Sequence, residues 1–264
     1  MDLQLTQKRA LITGSTSGIG FATAVTLAQE GANVVINGRT ETRVDQACER
    51  LRTVVPHAQV RGIASDLSTA AGVKVLLDAC PEVDILVNNL GIFEPKAFEV
   101  IQDTDWEQMF DVNVMSGVRL SRAYLPAMKQ RNWGRIIFVS SESGINIPAE
   151  MLHYGMSKAA QLAVSRGIAE VTAGTGVTCN AVLPGPTSTE GVGDFFISLA
   201  AAQGVDLEEM HRRFFAEVRP SSLLKRFIEP SEVASLIAYL CSPLAAATNG
   251  AALRADGGIV RSMV

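Results

Sequence analysis

The chain has 264 residues, 47% of them apolar and 19% charged, with a formal net charge of -4. That length can bury one large core, and the balance of apolar to charged residues belongs to a globular chain rather than a disordered one. The mild negative charge leaves no electrostatic footprint for nucleic acid or an acidic membrane, so small molecules are the expected partners.

The opening MDLQLTQKRALIT moves straight from polar residues into a strand-like run, RALIT at 9–13, with no apolar core and cleavage site of a secretory signal. A cytoplasmic location is expected. TGSTSGIG at 13–20 then turns into a helix whose apolar face runs through Ile19, Ala22, Val25, Leu27 and Ala28, with Gly31 placed as a left-handed stop. Glycines in such a turn let a pyrophosphate approach the free amides of the helix N-terminus. The spacing is G-x-x-x-G-x-G rather than the general dinucleotide fingerprint, so a merely structural turn stays open at this point.

Further strand-like runs follow at 33–37 (NVVIN), 84–89 (DILVNN), 134–141 (GRIIFVSS) and 176–182 (GVTCNAV), separated by segments of helical period. Strand alternating with helix implies a parallel sheet covered on both faces. There is no repeat and no linker, so residues 1–264 are expected to form one domain. The compositional break at 185–222 holds FFISLAAA and EEMHRRFFAEVRP; it is too long for an ordinary loop and is either functional or helical in its own right. Phe195, Phe196, Leu199, Phe214 and Phe215 make 190–222 apolar enough for a substrate lid or a subunit contact. The longest apolar stretches fall short of the roughly 20 residues that cross a bilayer. Four scattered cysteines and three histidines offer neither a CxxC nor an HExxH arrangement, so no metal site is expected.

HYGMSK at 153–158 sets Tyr154 and Lys158 one helical turn apart on one face. A lysine beside a tyrosine favours tyrosinate, but bringing a phenol from about 10 to about 7 takes roughly 4 kcal/mol, more than one ammonium usually supplies. On the hexapeptide alone a surface tyrosine stacked along a lysine stem is the favoured reading.

TGSTSGIG, NNLG at 88–91, Asn113, Ser141, the Tyr154/Lys158 pair, PGPTST at 184–189 and the closing ADGG at 255–258 together resemble the short-chain dehydrogenase/reductase family, in the right order from residue 8 to the end. The resemblance implies a Rossmann-type, doubly wound α/β fold. Its parallel sheet would have about seven strands, and the protein would bind a nicotinamide dinucleotide as a homo-oligomer, tetramer or dimer. It assigns Tyr154 to proton exchange with the substrate oxygen and Ser141 to hydrogen-bonding that oxygen. Lys158 would hold the nicotinamide ribose and lower the phenol's pKa, and Asn113 would anchor a water leading to solvent. Among the clustered serines, the family's interval to the tyrosine selects Ser141, with Ser143 as a supporting donor. His153 is expected to be a packing or surface residue, and Glu142 and Glu150 to be solvated carboxylates.

For the cofactor the resemblance implies contacts from Gly14, Ser15, Ser17, Gly18, Ile19 and Gly20 in the first turn. Asn89 and Gly91 would contribute from the second turn, and Pro184, Gly185, Thr187 and Thr189 from beyond the sixth strand. Asp66 and Leu67 match the family's adenine contact, although an aspartate there can equally cap a helix. Leu90 and Thr187 depart from the usual alanine and aliphatic residues. The second strand ends in Asn37-Gly38-Arg39-Thr40, with no acid for the ribose hydroxyl of NAD and an arginine suited to the 2′-phosphate of NADP. NADP(H) is therefore favoured and NAD(H) is possible, since Ser17 stands where many NADP-dependent relatives are basic. The expected activity is hydride transfer between NADP(H) and a carbonyl or secondary alcohol. The alternatives are an NAD-linked alcohol, sugar or steroid dehydrogenase and a non-catalytic dinucleotide-binding regulator.

Overall fold

The aliphatic runs form strands and the segments between them helices in a computed structural model, which describes residues 1–263 apart from the side chain of Phe195. The first half contains β1 (Arg9–Ile12), α1 (Gly18–Gln29), β2 (Asn33–Gly38), α2 (Glu41–Val54), β3 (Val60–Ala64), α3 (Ala70–Ala79), β4 (Ile85–Asn88) and α4 (Asp103–Phe110). It continues with α5 (Ser116–Gln130), β5 (Gly134–Val139), α6 (Leu152–Val171), β6 (Val177–Pro184), α7 (Glu190–Gln203), α8 (Leu207–Arg213), α9 (Pro230–Cys241) and β7 (Ala252–Ala255). The seven strands are parallel, in the order β3-β2-β1-β4-β5-β6-β7. The winding reverses between β1 and β4, and a doubly wound sheet takes its ligand in the crevice at the carboxyl ends of such strands.

Alternate strand residues feed two apolar layers. Ala10, Ile12 and Ile36 pack with Ala24, Leu27, Ala47 and Ile237 from α1, α2 and α9, whereas Leu11, Val35 and Phe138 pack with Leu76, Tyr124 and Met128 from α3 and α5. Burial on both faces explains why β4, β5 and β6 read as unbroken runs, since every residue in them is buried. β3 and β7 have no counterpart among the runs read from the sequence. They are the two edges, and Arg61, Gly62 and Arg254 interrupt what little apolar signal they carry.

The buried face of α1 is turned from the one expected. Gly20, Thr23, Ala24, Leu27 and Ala28 are buried, while Ile19 and Val25 are only partly so, because small residues let α1 pack closely on α9 and the sheet. Gly31 ends the helix as expected, at φ +82°, with Ala32 N donating to Leu27 O at 3.0 Å.

Residues 190–222 are helical rather than a loop: α7, α8 and a π-helical turn at Phe214–Val218. Thr189 and Asp206 cap α7 and α8 by accepting from Val192 N at 3.4 Å and Glu209 N at 2.8 Å. The segment has a small core of its own, in which Phe196, Ala200 and Met210 pack with Leu199, Phe214 and Phe227. Phe215 is buried as well, and the Phe195 side chain lies outside the described residues. Among the described residues no helix is long and apolar enough to cross a membrane. All four cysteines are buried thiols.

Candidate active site

The turn between β1 and α1 is held open by residues without side chains. Gly14 and Gly18 adopt φ of +59° and +56°. At Gly20 a Cβ would lie 2.4 Å from Asn89 Nδ2 and 2.7 Å from Gly14 O. Asn89 Nδ2 donates to Thr13 O at 2.9 Å and Gly14 O at 3.0 Å, and Leu90 N donates to Thr13 Oγ1 at 2.9 Å, so the turns after β1 and β4 are laced together. Leu90 packs beside Gly14 and against the second apolar layer, and it does not line the cleft. Ser15 faces inward: its hydroxyl donates to Ile12 O at 2.7 Å and accepts from Asn37 N at 3.1 Å, and its amide donates to Asn37 O at 2.9 Å. Those bonds join β1 to β2 and engage the Ser15 hydroxyl and amide.

Ser17, Gly18, Ile19, Gly20, Asn89 and Gly91 form one end of a cleft of about 660 Å³, and Ser141, Tyr154 and Lys158 form its floor. Tyr154 and Lys158 share one face of α6, as their spacing requires. Ser141 follows β5, its Oγ accepting from Ser143 N at 3.1 Å, and it draws the Tyr154 phenol's pKa down. Lys158 is buried, donating through Nζ to Val139 O at 3.0 Å and Gln161 Oε1 at 3.2 Å, with Nζ 5.6 Å from the Tyr154 ring centroid. Asn113 lies behind the cleft in a π-helical turn, Asp111–Met115, a distortion that recurs at functional sites. Its Oδ1 accepts from Ile92 N at 2.8 Å and its Nδ2 donates to Ser157 Oγ at 2.9 Å. Gln161, which the sequence reading missed, links the two groups by donating from Nε2 to Asn113 O at 2.5 Å. Its position three residues after Lys158 was the available signal.

Beyond β6, Pro184, Gly185, Thr187 and Thr189 line the same cleft. A Cβ at Gly185 would lie 2.7 Å from Asp256 O, which ties this turn to the closing ADGG. Thr187 is buried and its Oγ1 donates to Gly185 O at 2.9 Å. Arg39, Asp66 and Leu67 lie outside the cleft. Arg39 is exposed at the end of β2, Leu67 is in the core, and Asp66 Oδ1 accepts from Ser68 N at 3.1 Å and Ser68 Oγ at 2.8 Å. A Cβ at Gly38 would lie 2.5 Å from Thr16 Cγ2, so Thr16 occupies the room an acid would need there.

The family model described as short chain dehydrogenase matches residues 8–197. The chain belongs to this family. An oxidoreductase of Bacillus subtilis, YvaG, described as uncharacterized, is 51% identical over all of both chains. D-beta-hydroxybutyrate dehydrogenase of Cupriavidus necator is 35% identical over 97% of this chain and 99% of its own. L-Sorbose reductase from Gluconobacter frateurii, solved with NADPH and L-sorbose, superposes with a TM-score of 0.94 at 30% identity, covering all of both chains. The protein is thus an NAD(P)-dependent short-chain oxidoreductase.

Electrostatics in this short-chain dehydrogenase differ from the expectation for the protein alone. Burial pushes the Tyr154 phenol up to about 12, outweighing the opposite pull of Ser141. The same burial pushes Lys158 down to about 7. Glu142 adds to the upward push on the phenol and Arg219 opposes it. Glu142 and Glu150 also depart from the expected pair of solvated carboxylates. Glu142 is buried, with Oε1 3.0 Å from Arg219 Nε, and Glu150 is exposed but pairs with Arg219 Nη1 at 3.2 Å. Burial pushes the Glu142 carboxyl up, and Arg219 draws it back. His153 is a packing residue, fully buried and edge-on to Trp106 at 5.9 Å.

Proposed function

We propose that this enzyme transfers a hydride between NADP(H) and a carbonyl or secondary alcohol, with Tyr154 giving or taking the proton on the substrate oxygen. The observation that carries this reading is the convergence of Ser141, Tyr154 and Lys158 on one cleft, with the phenol sharing a helix face with Lys158 and under the influence of Ser141. The cleft suits a dinucleotide: Gly18, Ile19 and Gly20 at the start of α1 line it, and a helix N-terminus offers free amides to a phosphate. When bound, the nicotinamide supplies or accepts the hydride. Ser141 orients the substrate oxygen, Tyr154 moves the proton, and Lys158 holds the ribose hydroxyls. Asn113, through Gln161, fixes the position of Lys158.

Arg39 favours NADP(H), since it is exposed and makes no ion pair among the described residues, leaving its guanidinium for a 2′-phosphate. NAD(H) is the alternative. Residues 190–222 serve as a lid, because Phe196, Leu199, Met210 and Phe214 line the cleft from that segment. The family resemblance further suggests a cytoplasmic homo-oligomer. The test is to mix the protein with NADPH and a panel of ketones and follow loss of reduced-nicotinamide absorbance. Consumption with several ketones supports the reading, and tight NADPH binding without consumption of any ketone defeats it.

A further inference from the structure

Beside Ser141 and Tyr154 the lining of the cleft carries a cluster of charged side chains, Glu142, Glu150 and Arg219, with Arg213 and Glu217 in the same lining. Glu142 and Arg219 are only 2% and 8% exposed, and both line the cleft together with Phe93, Met151 and Phe214. Glu142 Oε1 accepts from Arg219 Nε at 3.0 Å and from Ser143 Oγ at 3.3 Å, whereas Oε2 is buried and accepts from none of the described residues. Arg219 Nη1 donates to Glu150 Oε1 at 3.2 Å and Val218 O at 3.0 Å, while Nη2 donates to none of the described residues. The pair therefore holds one spare acceptor and one spare donor among residues that line the cleft.

A buried ion pair seldom stabilises a fold more than apolar residues of the same volume, so its place in this wall calls for another role. An unpartnered buried carboxylate oxygen is an energetic deficit that a bound donor relieves. The partner's chemistry follows from the two spare atoms. A hydroxyl donates and accepts at once and satisfies both. An ammonium only donates and would face the guanidinium; a carboxylate only accepts and would meet Glu142 and Glu150.

We propose that Glu142 and Arg219 recognise a hydroxyl group of the substrate, so that the enzyme acts on neutral hydroxyketones and the corresponding diols or polyols rather than on oxo acids. This rests on the hydride-transfer reading above. In the reducing direction the carbonyl carbon takes the hydride as NADPH becomes NADP+, the oxygen takes the Tyr154 proton, and a diol leaves. The hydroxyl held by Glu142 and Arg219 is unchanged.

The experiment compares kcat/KM with NADPH for butanone, 1-hydroxy-2-butanone, 4-hydroxy-2-butanone and acetoacetate. At least one hydroxyketone should exceed butanone by about tenfold to a hundredfold, the range of a hydrogen bond to a charged group, and acetoacetate should be the poorest. Glu142→Gln and Arg219→Lys should each shrink the ratio of hydroxyketone to butanone, chiefly through KM. The wild-type ratio decides the matter without either variant, should they fail to fold. Equal turnover of butanone and both hydroxyketones, or a preference for acetoacetate, overturns this inference and leaves hydride transfer standing. No turnover of any ketone overturns both.

Discussion

Replacing Lys158 with methionine should make the protein more stable, most of all in mild acid. Burial lowers the Lys158 pKa from 10.5 to about 7, so between those values the unfolded chain binds a proton that the folded chain does not. Stability then rises with pH across that window. Below it both states are protonated and the full cost of burying the ammonium is present; above it the cost is gone. The gap between 10.5 and about 7 corresponds to about 5 kcal/mol, at roughly 1.4 kcal/mol per pH unit. Methionine is unbranched and apolar, but it leaves Val139 O and Gln161 Oε1 without their donor, at a cost of about 1–2 kcal/mol. The expected net gain is about 3 kcal/mol near pH 6, falling to nearly nothing at about pH 9, where most of the wild-type cost has been relieved. Urea unfolding of both proteins without cofactor, at the two pH values, measures it. A variant no more stable than wild type near pH 6, or a difference that does not change with pH, would refute the reasoning.

Gly20→Ala should abolish dinucleotide binding, because its Cβ would lie 2.4 Å from Asn89 Nδ2 and force apart the two laced turns; fluorescence titration with NADPH checks it. Arg39→Ser should weaken NADPH binding by about tenfold to a hundredfold with little effect on NADH, since a charge-assisted contact of roughly 1.5–3 kcal/mol is removed. Side-by-side titrations read it, and equal losses for both cofactors count against the role of Arg39. Arg219→Ala should cost about 3–5 kcal/mol at neutral pH by leaving the Glu142 carboxylate buried and unpaired. The carboxyl, already raised by burial, then binds a proton more readily in the folded state than in the unfolded one, so stability should fall as pH rises from acid toward neutral, as denaturation at several pH values will reveal. Hydrogen exchange across 190–222 should slow on adding NADPH and a ketone; full protection beforehand would favour a fixed contact over a lid.

The central strands were legible in the sequence because burial on both faces leaves them uninterrupted apolar runs. β3 and β7 were not, since each pairs on one side only and is mostly exposed or half-buried, so neither needs a run of large apolar residues. Tyr154 and Lys158 could be placed together from spacing alone, because helical period is a local property. Their charge states could not, because burial sets them, and part of the surroundings, such as Val139 of β5, is brought in from other elements. Glu142 looked like a solvated acid for the same reason: its partner Arg219 is 77 residues away. Ser15 sits in a phosphate-type turn, yet only the pairing of β1 with β2 reveals that its hydroxyl is already engaged with Asn37.

Hydride transfer assisted by a Tyr154 proton is tested most directly by Tyr154→Phe, which keeps the ring and removes only the hydroxyl. Steady-state reduction of a ketone by NADPH should fall by about 10² to 10⁴ in kcat, the usual share of a general acid, while the NADPH dissociation constant stays within about twofold. Turnover close to wild type in a variant that still binds NADPH would contradict it.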